Sequence, residues 1–436
     1  MNLTINTDRL LSELHHLARL TDCPPTTDAS LPEPTQAVTR IVFTPRDIEA
    51  RAWLTALAEA AGFTVRTDAV GNIFLRWQGT DTSLGAVGTG SHTDAIPHAG
   101  MYDGTVGVLG GLEAMRSLKE AGFTPKRSIE TLMFTSEEPT RFGIGCIGSR
   151  LLGGVIDPVE ADKLRDRLPD TDPNAPAGGT LAEVREAAGF AGTLANVKLP
   201  QGYYDAWVEL HIEQGPLLER ESISLGIVTG IAAPASYRYT VEGFGGHAGA
   251  LLMPDRRDAL TAAAEMFLSV ERHARAANER SGGVDTVATV GMVAVHPGAV
   301  NSVPSHVTFT LDIRDTDVAR RDAVMEAFHV DIAAIEKARG VKLTEEQINA
   351  DAPAKSSEHI VDVLEDICKA EGASYKKMVS RAYHDSNFMA VVAPIAMLFI
   401  PCRNGVSHRP DEYSSPEEIA LGTRVLALAL AKLANE

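Results

Sequence analysis

Strand patterns and helix patterns alternate along most of this chain, and that alternation limits the folds open to it. Four apolar runs predict strands: 84–90, 128–135, 206–210 and 393–400. An apolar stripe with helical spacing predicts a helix over 105–120, between the first two strands. Strands that alternate with helices form a largely parallel sheet with helices on both faces. The predicted fold class is therefore α/β, with a mixed, largely parallel sheet flanked by helices.

The segment from about 226 to 347 has a different order of elements. Its patterns predict a strand at 236–242, a helix at 256–277, strands at 285–295 and 305–313, a helix at 318–339 and a strand at 341–348. This order is the ferredoxin-like split motif. Strand patterns of the first kind resume from residue 380 onward. We therefore predict a main domain made of residues 1–226 and 348–436, with an inserted ferredoxin-like βαββαβ domain at 227–347.

Composition and charge exclude several classes of function. The 436 residues include 40 Lys and Arg against 58 Asp and Glu, a formal net charge of −18. Such a charge repels phosphate backbones and anionic lipids, so we expect neither nucleic acid nor a membrane as a partner. No stretch reaches the ~18–20 apolar residues of a membrane span, and no signal-peptide pattern is present. Four widely spaced cysteines without a CxxC pair indicate reduced thiols, so the expected location is cytoplasmic.

Imidazole and carboxyl side chains follow the predicted strands, at the ends where open α/β sheets place their sites. Five of them form the candidate set: His92, Asp103, Glu138, His211 and His408. Singly, each has an ordinary structural explanation, such as a helix N-cap for Asp103. Together, in apolar sequence where an unpaired charge is costly, they predict a site for two divalent ions that share one carboxylate. The set has no thiolate, which argues against a structural zinc site and suits Mn²⁺, Zn²⁺ or Co²⁺.

Glu137 remains beside the predicted ligand Glu138 without a role of its own. A carboxylate next to an ion-bound water is the general base that metal-assisted hydrolysis requires. The residues thus favour a metal-dependent hydrolase. Two alternatives stay open: a binding module without activity, and an amidase that uses Cys146 as its nucleophile.

Three motifs surround the predicted ligands: Gly90-Ser91-His92-Thr93-Asp94, Tyr102-Asp103-Gly104 and Glu137-Glu138. They resemble the M20 family of dinuclear metallopeptidases and amidohydrolases. The stretches 209–215 and 246–249 resemble its branch of allantoate, ureidoglycolate and N-carbamoyl-L-amino acid hydrolases. Within that branch, the stretches 135–154, 296–305 and 400–418 are most similar to the ureidoglycolate amidohydrolases. The resemblance extends from about residue 40 to the C-terminus.

The resemblance implies a role for each matching residue of the main domain. Two ion sites would share Asp103: His92, Asp103 and His211 would hold one ion, and Asp103, Glu138 and His408 the other. Asp94 would orient the imidazole of His92, and Glu137 would be the general base. Gln214 and His384 would line the substrate pocket.

The resemblance also implies roles for the inserted domain, as a lid and as a dimerisation domain. His247 would reach the active site of the other subunit of a homodimer. Asn301 and Arg314 match the residues that bind a substrate carboxylate, for which the planar guanidinium is well suited. Arg314 has a structural alternative, an ion pair with a neighbouring aspartate.

The expected activity is hydrolysis of a linear amide, namely a ureido C–N bond next to a carboxylate. The expected substrate is (S)-ureidoglycolate, which would be converted to glyoxylate, ammonia and CO₂ in the catabolism of allantoin and purines. Allantoate, N-carbamoyl-L-amino acids and amide conjugates of amino acids are the alternatives. The expected cofactor is two divalent ions per subunit, Mn²⁺ above all, with Zn²⁺, Co²⁺ or Ni²⁺ as alternatives.

Overall fold

The computed structural model describes residues 3–23, 36–168 and 178–436. Within them the strands, in chain order, are β1 (Val38–Arg40), β2 (Thr64–Thr67), β3 (Ile73–Trp77), β4 (Ala86–His92), β5 (Ala95–Ala99), β6 (Ile129–Phe134), β7 (Tyr204–Ile212), β8 (Leu225–Ile231), β9 (Ala233–Glu242), β10 (Gly246–His247), β11 (Val287–His296), β12 (Ser302–Val303), β13 (His306–Asp315), β14 (Lys342–Ala350), β15 (Ala354–Lys355), β16 (Tyr375–Ser380) and β17 (Ile395–Ile400). The α-helices are α1 (Thr7–Arg19), α2 (Pro45–Ala60), α3 (Thr105–Glu120), α4 (Ile147–Gly153), α5 (Pro158–Asp162), α6 (Leu181–Ala187), α7 (Leu217–Glu221), α8 (Ala259–Ser281), α9 (Val318–Arg339), α10 (Glu358–Ala370), α11 (Ser386–Met389) and α12 (Pro416–Asn435). None of these helices is long and apolar enough to cross a lipid bilayer.

The chain forms two compact units. The first unit consists of Met1–Thr229, Lys355–Met378 and His384–Glu436, and the second of Gly230–Ala354 and Val379–Tyr383. The sequence predicts an inserted domain at 227–347 and assigns a function to each of the two domains. These boundaries and functions stay predictions.

The first unit contains a mixed sheet with the strand order β15-β8-β17-β7-β4-β6-β3-β2, and β16 also pairs with β8. The four central strands, β17, β7, β4 and β6, are parallel to one another. The flanking pairs β8–β17, β3–β6 and β2–β3 are antiparallel. Strands β2 and β3 are joined by a short turn, which permits only antiparallel pairing. The α/β class predicted from the sequence is confirmed, with the parallel pairs in the centre of the sheet.

Helix α3 lies directly against this sheet and is buried along most of its length. Its apolar residues Leu109, Leu112 and Met115 are fully buried in the core of the unit. The helix approaches the strands closely at Gly107, where a Cβ would lie 2.5 Å from the carbonyl oxygen of Leu210. The glycine therefore allows α3 to begin at the edge of the sheet where β4 and β7 end.

The second unit is a four-stranded antiparallel sheet with the order β11-β13-β9-β14 and the helices α8 and α9. In chain order its elements are β9, α8, β11, β13, α9 and β14, which confirms the predicted βαββαβ motif. Alternate residues of β13 are buried, as its period-2 pattern predicts. Its Phe309 packs with Tyr239 of β9 and Phe267 of α8, and Phe328 of α9 packs with Tyr239, in a core of this unit's own.

Candidate active site

The five predicted ligands come together at one edge of the sheet in the first unit. His92 ends β4, His211 lies near the end of β7, Asp103 precedes α3, Glu138 follows β6, and His408 follows β17. Because β4, β6, β7 and β17 are parallel, their carboxyl ends meet at the same edge. The ligand atoms form two groups, His92 with Asp103 and His211, and Asp103 with Glu138 and His408, and within each group they lie within 4.8 Å of one another.

The carboxylate of Asp103 lies between three imidazoles. Its Oδ1 is 3.2 Å from Nε2 of His211 and 3.9 Å from Nε2 of His92. Its Oδ2 is 3.2 Å from Nε2 of His408, which is also 3.0 Å from Oε1 of Glu138. Oδ1 is buried and accepts no hydrogen bond within the described residues, whereas buried polar atoms ordinarily do. A divalent ion held with His92 and His211 would satisfy this oxygen, and Oδ2 would face a second ion held with Glu138 and His408, so the donor set fits two ions.

The tautomers of two imidazoles also fit metal ligands. Nδ1 of His92 is 2.9 Å from the main-chain carbonyl oxygen of Asp94, and Nδ1 of His211 is 2.9 Å from that of Ile212. A carbonyl oxygen only accepts, so Nδ1 carries the proton in both rings. In the neutral rings Nε2 then presents a lone pair near Oδ1 of Asp103, so these atoms are placed to bind one cation together. This hydrogen bonding is typical of histidines that bind metal ions.

Without an ion, protons occupy the places of the cations. The carboxylates of Asp103 and Glu138 raise the pKa of His408 to about 11. Burial opposes charge on His211, but the nearby Asp103 outweighs it and raises the pKa of His211 to about 9. Burial likewise opposes ionisation of Asp103, but His211 and His408 lower its pKa well below the usual value. The metal-free site at pH 7 therefore holds a carboxylate between imidazolium groups.

Binding of Mn²⁺ to the metal-free chain at pH 7 is expected to release protons, because His211 and His408 must lose theirs to become ligands. Since both pKa values lie above 7, the affinity for Mn²⁺ should rise with pH, by up to about tenfold per pH unit for each proton released. Titration calorimetry in two buffers of different ionisation enthalpy measures that release. Equal heats in the two buffers would contradict this prediction.

Asp94 contacts His92 mainly through its main chain, while its carboxylate serves another purpose. The carboxylate accepts hydrogen bonds from the backbone N–H of Glu138 at 2.9 Å and of Glu137 at 3.4 Å. Oδ1 is 3.8 Å from Nδ1 of His92, longer than a hydrogen bond. Burial raises the pKa of Asp94 to about 6, against the attraction of His92. The residue thus fixes the imidazole through its carbonyl and the Glu137–Glu138 segment through its side chain.

Glu137 lies beside the ligands with its carboxylate buried among like charges. Burial raises its pKa well above the usual value, and Glu138 and Asp385 add to the effect. Oε2 is 3.7 Å from Nε2 of His92, and Oε1 accepts the thiol of Cys146 at 3.5 Å. Burial also raises the pKa of this thiol, so it stays protonated and is a poor nucleophile. Without bound ions the carboxyl of Glu137 therefore favours its protonated form, and the alternative of a cysteine nucleophile loses its support.

The predicted pocket residues of the first unit both contact ligands. Nε2 of Gln214 donates to Oδ2 of Asp103 at 2.9 Å and to Oγ of Ser407 at 3.2 Å. The backbone of Gln214 is left-handed, with φ 53°. The ring of His384 is buried and meets that of His211 edge-on, with centroids 4.5 Å apart.

The predicted substrate-binding residues on the inserted segment lie in the second unit. His247 is exposed on β10, and its Nδ1 accepts the N–H of Gly249 at 3.2 Å. The carbonyl oxygen of Asn301 accepts the N–H of Ala248 at 2.8 Å, so His247 and Asn301 are close in space. Arg314 donates to Asp312 at 2.7 Å, which is the ion pair that the sequence left open as an alternative. Roles in substrate binding for these residues stay predictions.

The sequence did not indicate two further residues of this region, Ser407 and Glu412. Oγ of Ser407 lies 3.2 Å from Oδ2 of Asp103 and donates to Oε2 of Glu412 at 2.7 Å. In the sequence, only their positions near His408 could have pointed to these two residues.

The family model of peptidase family M20/M25/M40 matches residues 88–432, a range that contains all five candidate ligands. The chain belongs to this family. Membership confirms the resemblance indicated by the motifs, and the hydrolases among the relatives of this M20 chain confirm that it is a hydrolase of C–N bonds.

Three relatives illustrate the similarity of this M20 chain to known proteins. It is 48% identical over 433 residues to the ureidoglycolate hydrolase of Oryza sativa subsp. japonica, covering 98% of this chain and 85% of that protein. It is 39% identical over 408 residues to the N-carbamoyl-L-amino acid amidohydrolase of Geobacillus stearothermophilus, covering 92% and 95%. The crystal structure of AtUAH in complex with (S)-hydroxyglycine matches with a TM-score of 0.86 and 45% identity, covering 99% of this chain and 98% of that one.

Proposed function

We propose that this M20 hydrolase converts (S)-ureidoglycolate to glyoxylate, ammonia and CO₂. The observation that carries the chemistry is the position of Glu137, whose Oε2 lies 3.7 Å from Nε2 of His92, beside two ligand groups that share Asp103. The choice of substrate is supported by the 48% identity to a ureidoglycolate hydrolase and by the close match to AtUAH, which was crystallised with (S)-hydroxyglycine. Hydroxyglycine is what remains of ureidoglycolate once its carbamoyl group has been removed.

In this proposal two divalent ions bind at the carboxyl edge of the sheet. One is held by His92, Asp103 and His211, and the other by Asp103, Glu138 and His408. Nitrogen and oxygen ligands suit Mn²⁺, with Zn²⁺, Co²⁺ or Ni²⁺ as alternatives. When bound, the ions would make a water molecule acidic and polarise the ureido carbonyl.

Glu137 moves the proton. Its carboxylate takes a proton from the attacking water and returns it to the nitrogen that leaves as ammonia. The terminal C–N bond breaks first, the resulting carbamate loses CO₂, and the remaining hydroxyglycine breaks down to glyoxylate and a second ammonia. Overall, one ureidoglycolate and one water yield one glyoxylate, two ammonia and one CO₂.

The substrate carboxylate is proposed to bind to Asn301 and Arg314. Asp312 accepts hydrogen bonds from Nε of Arg314 at 2.7 Å and from one terminal nitrogen at 3.4 Å. The remaining N–H groups of the guanidinium are available to a second carboxylate. A guanidinium at this position would supply positive charge to a substrate anion in a chain of net charge −18. Gln214 and His384 are proposed to face the ureido end, because both contact ligands of the ion site.

A homodimer is part of the proposal, since His247 is assigned to the site of the partner subunit. Strand β11 is an edge strand of its sheet, and Met292 and Val293 on it are 71% and 46% exposed. An exposed apolar edge strand favours pairing with another chain. A cytoplasmic location agrees with the four cysteines, which are free in the structure.

The test is ammonia release from ureidoglycolate, allantoate and N-carbamoyl amino acids in parallel, by the chelator-stripped chain re-supplied with Mn²⁺. We expect kcat/KM to be largest for ureidoglycolate, and the stripped chain to be inactive until Mn²⁺ returns. A larger kcat/KM for N-carbamoyl amino acids would make them the proposed substrates and leave the proposed reaction chemistry unchanged. No turnover of any of the three by the Mn²⁺-loaded chain would overturn the proposal.

A further inference from the structure

Glu412 is a buried carboxylate that the proposed reaction does not use. The residue is 1% exposed, and its side chain accepts three hydrogen bonds. Oε1 accepts the backbone N–H groups of Tyr102 and Asp103, each at 2.9 Å, and Oε2 accepts the hydroxyl of Ser407 at 2.7 Å. One carboxylate thus connects the loop before α3 to the loop after β17, which are far apart in the chain.

Both of these loops carry proposed ligands. Asp103 is the shared carboxylate, and Ser407 directly precedes His408. The side chain of His408 is 48% exposed, and its backbone is left-handed with φ 60°, a conformation that is uncommon for residues other than glycine. His92 and His211, by contrast, are held by the strands β4 and β7. His408 is therefore the ligand whose position depends most on its loop.

The backbone at Gly100 packs closely against the side chain of Glu412. A Cβ at Gly100 would lie 2.4 Å from both Cβ and Oε1 of Glu412. The backbone before Asp103 therefore packs directly against this side chain, and the glycine makes the contact possible.

We propose that Glu412 is a positioning residue for the ion that Asp103, Glu138 and His408 would hold. The inference rests on the two-ion site of the proposed function. Without Glu412, the loop that bears His408 loses its hydrogen bonds to the backbone of the Asp103 loop and keeps only the side-chain contacts of Ser407 and His408 with Asp103, while His92 and His211 stay in place. Groups that orient metal ligands typically account for roughly 10- to 100-fold in metal affinity. Asp103 is shared by both ions, but only one of them also needs His408, so the loss should fall mainly on that ion.

The experiment measures Mn²⁺ binding to the full chain without substrate, by equilibrium dialysis and elemental analysis. For Glu412→Ala we expect one ion bound nearly as in the unchanged chain and the second bound roughly 10- to 100-fold more weakly. Glu412→Gln should bind both ions nearly as before, because its amide oxygen accepts the two N–H groups and its NH₂ donates to Ser407.

Glu113→Ala is the matched control. Glu113 is fully buried in the same unit and accepts similar donors, the N–H of Asn6 at 3.1 Å and the hydroxyl of Ser117 at 2.9 Å, together with Arg9. Its loss should lower the melting temperature and leave both ions bound. Gly100→Ala keeps every polar group and displaces Glu412, so it should weaken the second ion as Glu412→Ala does.

Unchanged affinity for both ions in folded Glu412→Ala would overturn the inference. Equal weakening in Glu113→Ala would also overturn it, since the effect would then be one of general stability. If Glu412→Ala does not fold, Gly100→Ala replaces it in the test: unchanged affinity for both ions in Gly100→Ala would overturn the inference. In a further outcome, Glu412→Ala loses the second ion selectively while the unchanged, Mn²⁺-loaded chain does not turn over ureidoglycolate. That result would support the inference and contradict only the proposed substrate.

Discussion

The Glu137→Gln variant is expected to keep both divalent ions and to lose turnover by roughly 10²- to 10⁴-fold, the usual contribution of a general base. Glutamine has the size of glutamate but cannot accept the proton of the attacking water. Glu137 lies outside both ligand groups, and its two oxygens face Cys146 and His92. The substitution should therefore lower kcat and leave Mn²⁺ binding intact.

Two measurements decide this prediction: kcat at saturating substrate, and Mn²⁺ content per chain. Glu130→Gln is the control, because Glu130 is another buried carboxylate, near the opposite end of β6, where it accepts the hydroxyl of Tyr204. The control should keep its activity. A Glu137→Gln variant as active as the control would remove Glu137 as the base. Loss of Mn²⁺ would instead make Glu137 a ligand.

The His247→Ala variant is expected to lose roughly 10²- to 10³-fold in kcat, the effect of removing one donor to a developing oxyanion. Nδ1 of His247 accepts the N–H of Gly249, so the ring proton lies on Nε2, which can donate to substrate. The side chain is exposed within its own unit, as a residue that reaches another subunit must be. Ion binding should not change, because His247 belongs to neither ligand group.

Hybrid dimers test where His247 acts. In a dimer of one His247→Ala subunit and one Glu137→Gln subunit, one site has both residues intact if His247 comes from the partner. Random pairing of the two inactive variants should then restore about a quarter of the active sites. Each variant mixed with itself is the control. Activity that stays at the level of these controls in a mixture of proven hybrids would contradict a shared site.

The fold was predictable where periodicity was strong. In the second unit the predicted helix 318–339 coincides with Val318–Arg339, because apolar residues recur there with helical spacing. The β13 strand was predictable because it alternates strictly between buried and half-buried residues. The antiparallel flank formed by β2 and β3 was not predicted, since β2 is four residues long and mostly exposed.

The candidate site was predictable as far as its ligands follow strands, and no further. His92 and His211 lie at strand ends, so their convergence follows from parallel pairing. The contacts of Gln214 and the connection through Glu412 depend on loop conformation. Left-handed backbones at Gln214 and His408 set these contacts, and such conformations leave no pattern in the sequence when the residue is not glycine.

The most direct test of the proposed function is the ratio of ammonia to glyoxylate produced from (S)-ureidoglycolate by the Mn²⁺-loaded chain. Hydrolysis of the ureido bond by the Glu137 route, followed by breakdown of hydroxyglycine, predicts two ammonia molecules for each glyoxylate, and no product after chelation. Glyoxylate that forms with urea and without ammonia would contradict this route, because the C–N bond next to the hydroxyl-bearing carbon would then break while the ureido carbonyl stays intact.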